Sequence, residues 1–118
     1  MAKSVSFSLE LTPPTINHYW NHKGARRFMS DRAIEFRRII KDKCLDERLE
    51  GYLAIRIEYY PPDKRKRDID NILKPILDAL QHAQLFADDY QIQKITALRK
   101  TKIVEGGLVL IKVSEYED

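Results

Sequence analysis

Two runs of strict alternation, each cut off by a proline pair, constrain this chain more than any other feature. Val5, Phe7, Leu9 and Leu11 alternate with Ser6, Ser8 and Glu10 ahead of Pro13-Pro14. Leu53, Ile55, Ile57 and Tyr59 do the same within 52–60, ahead of Pro61-Pro62. Period two puts the apolar residues on one face of a half-buried strand, and the prolines end the strand. A sheet with one apolar face must bury it under a second layer. Two stretches offer that layer. Ser30 reads as an N-cap, with Asp31 in the first turn, for a helix carrying Ala33, Phe36, Ile40 and Cys44 at helical spacing with Ile39 beside them. It is expected to end near Leu49 and Gly51. Ile72, Leu73, Ile76, Leu77 and Leu80 mark a second helix. Proline is tolerated in a first turn, so Pro75 suggests Asn71 as N-cap, with Asp68 and Asp70 on the lead-in segment. Strands at about 91–102 and 108–114 follow, joined through Gly106-Gly107. The segment 17–28 reads as irregular, aromatic and basic. The expectation is a two-layer α+β domain, a single unit spanning 1–118, with a mixed or antiparallel sheet and helices on one face.

Charge narrows the class of partner. The chain has 21 basic and 18 acidic residues. The excess is small, but the basic residues are gathered, with eight basic against three acidic from His18 to Lys43 and four against none from Lys94 to Lys102. Such patches suit a polyanion. The acidic excess sits at Glu115, Glu117 and Asp118. A lone cysteine, Cys44, excludes an intramolecular disulfide and reads as a small core residue. No Cys/His group has zinc spacing. Met1-Ala2-Lys3-Ser4 does not form a signal-peptide core, and no apolar run is long enough to span a membrane. The chain reads as a soluble protein of the cytoplasm.

The chemistry gathers in 64–89. Lys64, Arg65, Lys66 and Arg67 are followed by Asp68-Ile69-Asp70-Asn71, then Lys74, then Asp88-Asp89. Basic groups that hold phosphates stand beside carboxylates of the kind Mg2+ prefers. Together they point to metal-dependent chemistry on a phosphodiester, in nucleic acid. Singly, each signal has a plainer reading. Asp68 and Asp70 serve helix entry, Asp88-Asp89 a turn, the basic run a solvated loop, and Lys74 a surface position. Whether the chain folds back to bring Asp89 to the others is not written in its spacing.

The basic loop, Asp68-Ile69-Asp70-Asn71, Lys74 and Asp88-Asp89-Tyr90-Gln91-Ile92 resemble the core signature of the RusA family of Holliday junction resolvases. Pro13-Pro14-Thr15-Ile16-Asn17-His18-Tyr19 resembles the family's segment after its first strand. The likeness runs from about Ser6 to Val113 and is loose around Ala25-Arg26-Arg27 and at the tail. It implies a homodimeric, Mg2+-dependent endonuclease, with Mn2+ a substitute, that resolves four-way DNA junctions by paired nicks. By that resemblance Asp68, Asp70 and Asp89 are the catalytic, metal-holding aspartates and Lys74 the essential lysine. Asp88, Asn71, Asn17 and Tyr19 are secondary. Lys64, Arg65, Lys66, Arg67, Arg26 and Arg27 would grip backbone phosphates. Tyr19 and Trp20 would either stack on opened bases or pack inside. His18, His22 and His82 read as surface or phosphate-contacting residues. The rival readings are a non-catalytic module for structured nucleic acid and a phosphoesterase of small nucleotides.

Overall fold

The alternation becomes a buried sheet face. In the computed structural model, which describes residues 3–117, strand β1 (Ser4–Leu9) buries Val5 and Leu9, and β4 (Leu53–Tyr60) buries Leu53, Ile55, Ile57 and Tyr59. The N-terminal reading at Met1-Ala2 and the acidic end at Asp118 lie outside the described residues. A further strand, β6 (Leu108–Glu115), buries Val109, Ile111 and Val113, and β5 (Ile92–Arg99) lies at the edge. The sheet order is β1-β6-β4-β5. β1 and β4 each run antiparallel to β6, while β4 and β5 are parallel, so the sheet is mixed. Helices α1 (Asp31–Lys43) and α2 (Asp70–His82) supply the second layer, their Phe36, Ile40, Ile72, Ile76 and Leu80 sharing one core with the strands. The class is α+β, as expected. Among the described residues no helix is long and apolar enough to cross a membrane.

Four boundaries differ from expectation, each for a local reason. The segment 17–28 is not irregular. A short 3-10 turn (Ile16–His18) leads into an antiparallel hairpin, β2 (Trp20–Lys23) and β3 (Arg26–Met29). Gly24, at φ 62°, takes the left-handed conformation at its tip. Helix α1 is capped by Ser30, whose hydroxyl accepts the Ala33 N–H at 3.1 Å, but it stops at Cys44 instead of running to Leu49. Asp46 turns the chain at φ 63°, and Leu49 donates its N–H to the Leu85 carbonyl at 2.7 Å. Helix α2 starts at Asp70 and not after Asn71. The Asn71 and Ile72 N–H groups reach back to the Asp68 and Ile69 carbonyls in a tight i to i+3 turn. Pro75 therefore lies inside the helix and is buried there. It supplies no N–H for the Asn71 carbonyl, at a cost set against its burial. Finally, β5 ends at Arg99, and the Lys100 N–H makes the last bond of the parallel pairing, to the Tyr59 carbonyl at 2.8 Å.

The return from β5 to β6 requires glycine at 107. A Cβ there, at φ 90°, would sit 2.8 Å from the Leu11 carbonyl oxygen. Cys44 is buried in the core, which pushes its thiol up to about 11.

Candidate active site

The β4–α2–β5 crossover builds the site. Because β4 and β5 are parallel, the chain leaves β4 into the basic loop, returns along α2 and enters β5 through a second 3-10 turn (Asp89–Gln91) beside that helix. Asp70 stands in the first turn of α2, and Asp68 lies just before it. Both are exposed, and neither side chain has a hydrogen-bond or ion-pair partner among the described residues. They line an open groove of about 620 Å3 with Lys66, Arg67, Ile69 and Arg99. Lys74, one helical turn past Asp70, reaches Asp89 with Nζ 3.3 Å from Oδ2. The fold-back that sequence spacing left open thus takes place, and Asp89 is carried to the α2 face.

The Asp89 turn is held from three sides. The Asp88 carboxylate accepts the Tyr90 N–H at 2.8 Å. Gln91 Oε1 accepts the Ala87 and Asp88 N–H groups at 2.9 and 3.1 Å, and its amide donates to the Gly51 carbonyl at 2.9 Å. Gln81 of α2 accepts the Asp89 N–H at 3.1 Å. Asp88 is therefore a capping residue of the turn.

The four-residue basic run divides by role. Asp63 organises it, pairing with Arg67 through both oxygens at 2.5 and 3.3 Å and accepting the Arg65 N–H at 2.9 Å. The Arg67 bonds, more than the Arg65 amide, hold the Asp63 carboxyl down to about 2. Arg67 is thereby tied into the loop. Its carbonyl accepts a hydrogen bond from the Arg99 guanidinium. Lys64 and Lys66 are exposed and without a partner among the described residues, and Arg65 projects into solvent.

A second network flanks the site on α2, one turn beyond Lys74. Asp78 Oδ2 accepts from Arg37 of α1 at 2.6 Å and from the Tyr19 hydroxyl, and Arg37 Nε donates to that same hydroxyl at 2.9 Å. Partial burial works against the Asp78 charge, but the Tyr19 and Arg37 bonds outweigh it and hold the carboxyl below its usual range. Tyr19 is 3% exposed, and burial followed by the Asp78 bond pushes its phenol up to about 12. Of the two roles open to Tyr19, the fold takes packing and leaves no ring face for a base. Trp20 is half-buried, and the Arg27 guanidinium lies 4.1 Å from its ring centroid. Arg26, Asn17 and His22 are exposed. His18 Nδ1 lies 2.9 Å from the Thr15 hydroxyl. His82 is pushed down by burial and by the Arg37 and Lys41 charges. Asn71 sits within the first turn of α2 and not at its cap.

Sequence reasoning missed Arg99, Gln81, and the Arg37–Asp78 pair. Arg99 belonged to the basic stretch noted above, although nothing local aims it at Asp68. Gln81 lies two turns from Lys74, on the same helical face.

The carboxylates suit a hard divalent cation in donor type, and Asp68 and Asp70 have no cation competing for them. Among the described residues no three acidic, His or Cys side chains are gathered closely enough to enclose a metal. Mg2+ does not require such a cage, since it keeps several waters and binds through one or two carboxylates together with substrate phosphates. The residues present fit that mode.

Residues 10–114 match the family model described as Endodeoxyribonuclease RusA. The chain is 39% identical over 109 residues to the crossover junction endodeoxyribonuclease rusA of Enterobacteria phage HK97, covering 89% of this chain and 90% of that protein. It is 36% identical over 107 residues to the crossover junction endodeoxyribonucleases RusA of Escherichia coli K12 and of Enterobacteria phage 82, covering 87% of this chain and 88% of each relative.

Proposed function

This chain belongs to the endodeoxyribonuclease RusA family, and from that premise we propose that it is a Mg2+-dependent endonuclease of the bacterial or phage-infected cytoplasm that resolves four-way DNA junctions by paired nicks. The observation that carries this reading is the groove in which Asp68 and Asp70, free of partners, lie among Lys66, Arg67 and Arg99. A carboxylate pair alone would repel a phosphodiester; ringed by cations, it accepts one together with a divalent metal.

Asp68 and Asp70 would hold Mg2+, with Asp89 the third acidic group of the site. Such a cation supplies an activated water and neutralises charge on the attacked and leaving oxygens. The protein's own groups do the rest. Lys74, on a rigid helix one turn from Asp70, holds a positive charge where the phosphate gains negative charge in the transition state. Asp89 orients that ammonium. Lys64 and Lys66 bind backbone phosphates, which fixes the strand without reading its sequence. Arg99 holds the backbone that leads into Asp68 and adds its charge to the groove.

One domain carries one such groove. Separating a junction into two duplexes takes symmetric nicks in strands of like polarity, so a homodimer whose twofold axis matches that of the junction completes the reading. The test is a labelled mobile four-way junction, with and without Mg2+, beside a matched linear duplex. The expected result is paired nicks on the junction alone and only with the cation. Tight binding with no nicking under any divalent metal would instead favour the non-catalytic module.

A further inference from the structure

The hairpin β2–β3 has two faces of different chemistry. Residues opposite one another in an antiparallel pair share a face, and alternate residues swap faces. Trp20 pairs with Met29 and His22 with Arg27, which places those four residues together. On that face the Arg27 guanidinium lies over the Trp20 ring, at 4.1 Å from its centroid. Asn21 pairs with Phe28 and Lys23 with Arg26, which gives the other face. Here two cations stand directly across the ladder, an arrangement that destabilises a strand pair. No acidic residue occurs from His18 to Ser30 to relieve it. The side chains of Lys23, Arg26 and Phe28 have no hydrogen-bond, ion-pair or ring partner among the described residues, and Phe28 is 39% exposed.

The base of the hairpin, by contrast, is firmly held. Ser30 donates its N–H to the Tyr19 carbonyl at 3.0 Å and its hydroxyl to the His18 carbonyl at 2.7 Å, joining the two ends. Tyr19 is in turn bonded to Asp78 of α2, beside Lys74. The hairpin is an arm clamped to the catalytic helix, with a bare cationic and aromatic face at its free end.

We propose that this face, Lys23, Arg26 and Phe28, is a nucleotide-binding surface for the DNA strand beside the cleavage site. Lys23 and Arg26 share one phosphate or two successive ones, and Phe28 stacks on a base swung out of the helix. An anion between the two cations turns their repulsion into attraction, and Phe28 offers the ring that buried Tyr19 does not. The inference rests on the nuclease reading for its substrate and divides the hairpin arginines, giving Arg26 to DNA and Arg27 to Trp20.

The experiment measures binding in EDTA, so that cleavage plays no part, to a four-way junction and a linear duplex over a range of salt. The Lys23→Gln/Arg26→Gln protein should lower the log–log salt slope by about 0.9 where the two cations share one phosphate and by about 1.8 where they hold two, at roughly 0.9 for each lost phosphate contact. Phe28→Ala should weaken junction binding about tenfold, within the range of one base–aromatic stack, and leave duplex binding unchanged. Arg27→Gln should keep the wild-type slope. The charge-conserving Lys23→Arg/Arg26→Lys protein should also keep it, which separates lost charge from a disturbed hairpin. An unchanged slope in the double Gln variant, or an equal drop with Arg27→Gln, overturns the assignment. Should the wild type bind junction and duplex alike, the junction reading fails, while the slopes on either DNA still decide the role of Lys23 and Arg26.

Discussion

Replacing Tyr19 with Phe removes one hydroxyl and keeps the ring in place, and the effect can be worked out from its bonds. That hydroxyl donates to Asp78 and accepts from Arg37, so its loss breaks two bonds to charged groups. Bonds of this kind contribute about 1.5–3 kcal/mol when buried. The Arg37 and Asp78 side chains are 20% and 33% exposed and keep their own ion pair, so solvent screening brings the loss to the low end. We expect about 1.5 kcal/mol, or about 5 °C in the unfolding midpoint for a domain of this size. The pH dependence follows from Asp78, whose folded carboxyl is held below the ordinary value. Its stabilisation is full above the unfolded value, about 3.9, and fades as pH falls through the lower folded value. The difference between wild type and Tyr19→Phe should therefore be constant near neutrality and shrink below about pH 4. Urea unfolding of wild type, Tyr19→Phe, Asp78→Asn and the double variant measures the coupling directly. Additive single changes, or a Tyr19→Phe loss that persists undiminished in acid, would refute the argument that this network clamps the hairpin to α2.

Asp70→Asn should abolish cleavage while junction affinity holds or rises, because it removes the charge proposed to hold the metal and a repulsion of phosphate together; a single-turnover assay in Mg2+ that shows near-wild-type cleavage refutes it. Lys74→Ala should slow cleavage by about 10²–10³ with little loss of affinity, and equal modest losses in both would make it an ordinary DNA contact. Neutralising Lys64 and Lys66, the two free lysines of the loop, should reduce the salt slope by about 1.8 for all DNA forms, whereas Arg67→Gln should act first on loop stability, since it releases Asp63. Mixed dimers of wild-type and Asp70→Asn chains should nick one strand of a junction and stall, a result read on a denaturing gel against the paired products of the wild type.

What the sequence disclosed follows how each element is stabilised. β1 and β4 were legible because one face of each is buried, so composition had to alternate. β5 was legible only in outline, since an edge strand partly open on both faces places no strict demand on alternate positions. The hairpin escaped for the same reason; its residues are almost all exposed, and Gly24 was its one local cue. Both helices were found from their apolar stripes, but their ends were settled elsewhere. A contact between Leu49 and Leu85 drew the chain away from α1, and carbonyls at Asp68 and Ile69 began α2 early.

The candidate site divides along the same line. Asp68 and Asp70 are two residues apart at a helix start, so their closeness is a property of the local chain, and a motif records it. Asp89 meets Lys74 only because β5 lies parallel to β4 and α2 must cross between them. Spacing alone could not choose between that route and an antiparallel one, and only the family resemblance anticipated it. Tyr19, Arg37 and Asp78 come from three separate elements, and each looks ordinary in its own segment. Their meeting fixes the hairpin relative to Lys74, and the hairpin carries three cations, Lys23, Arg26 and Arg27, of the eight that sequence had counted as one patch. A basic patch states how much charge is present; the side-chain partners state how much is free to meet DNA. By that measure Arg67 is tied to Asp63 and Arg27 lies over Trp20, while Lys64, Lys66, Lys23 and Arg26 are, among the described residues of the loop and the hairpin, cations without a side-chain partner to hold them from a phosphate backbone.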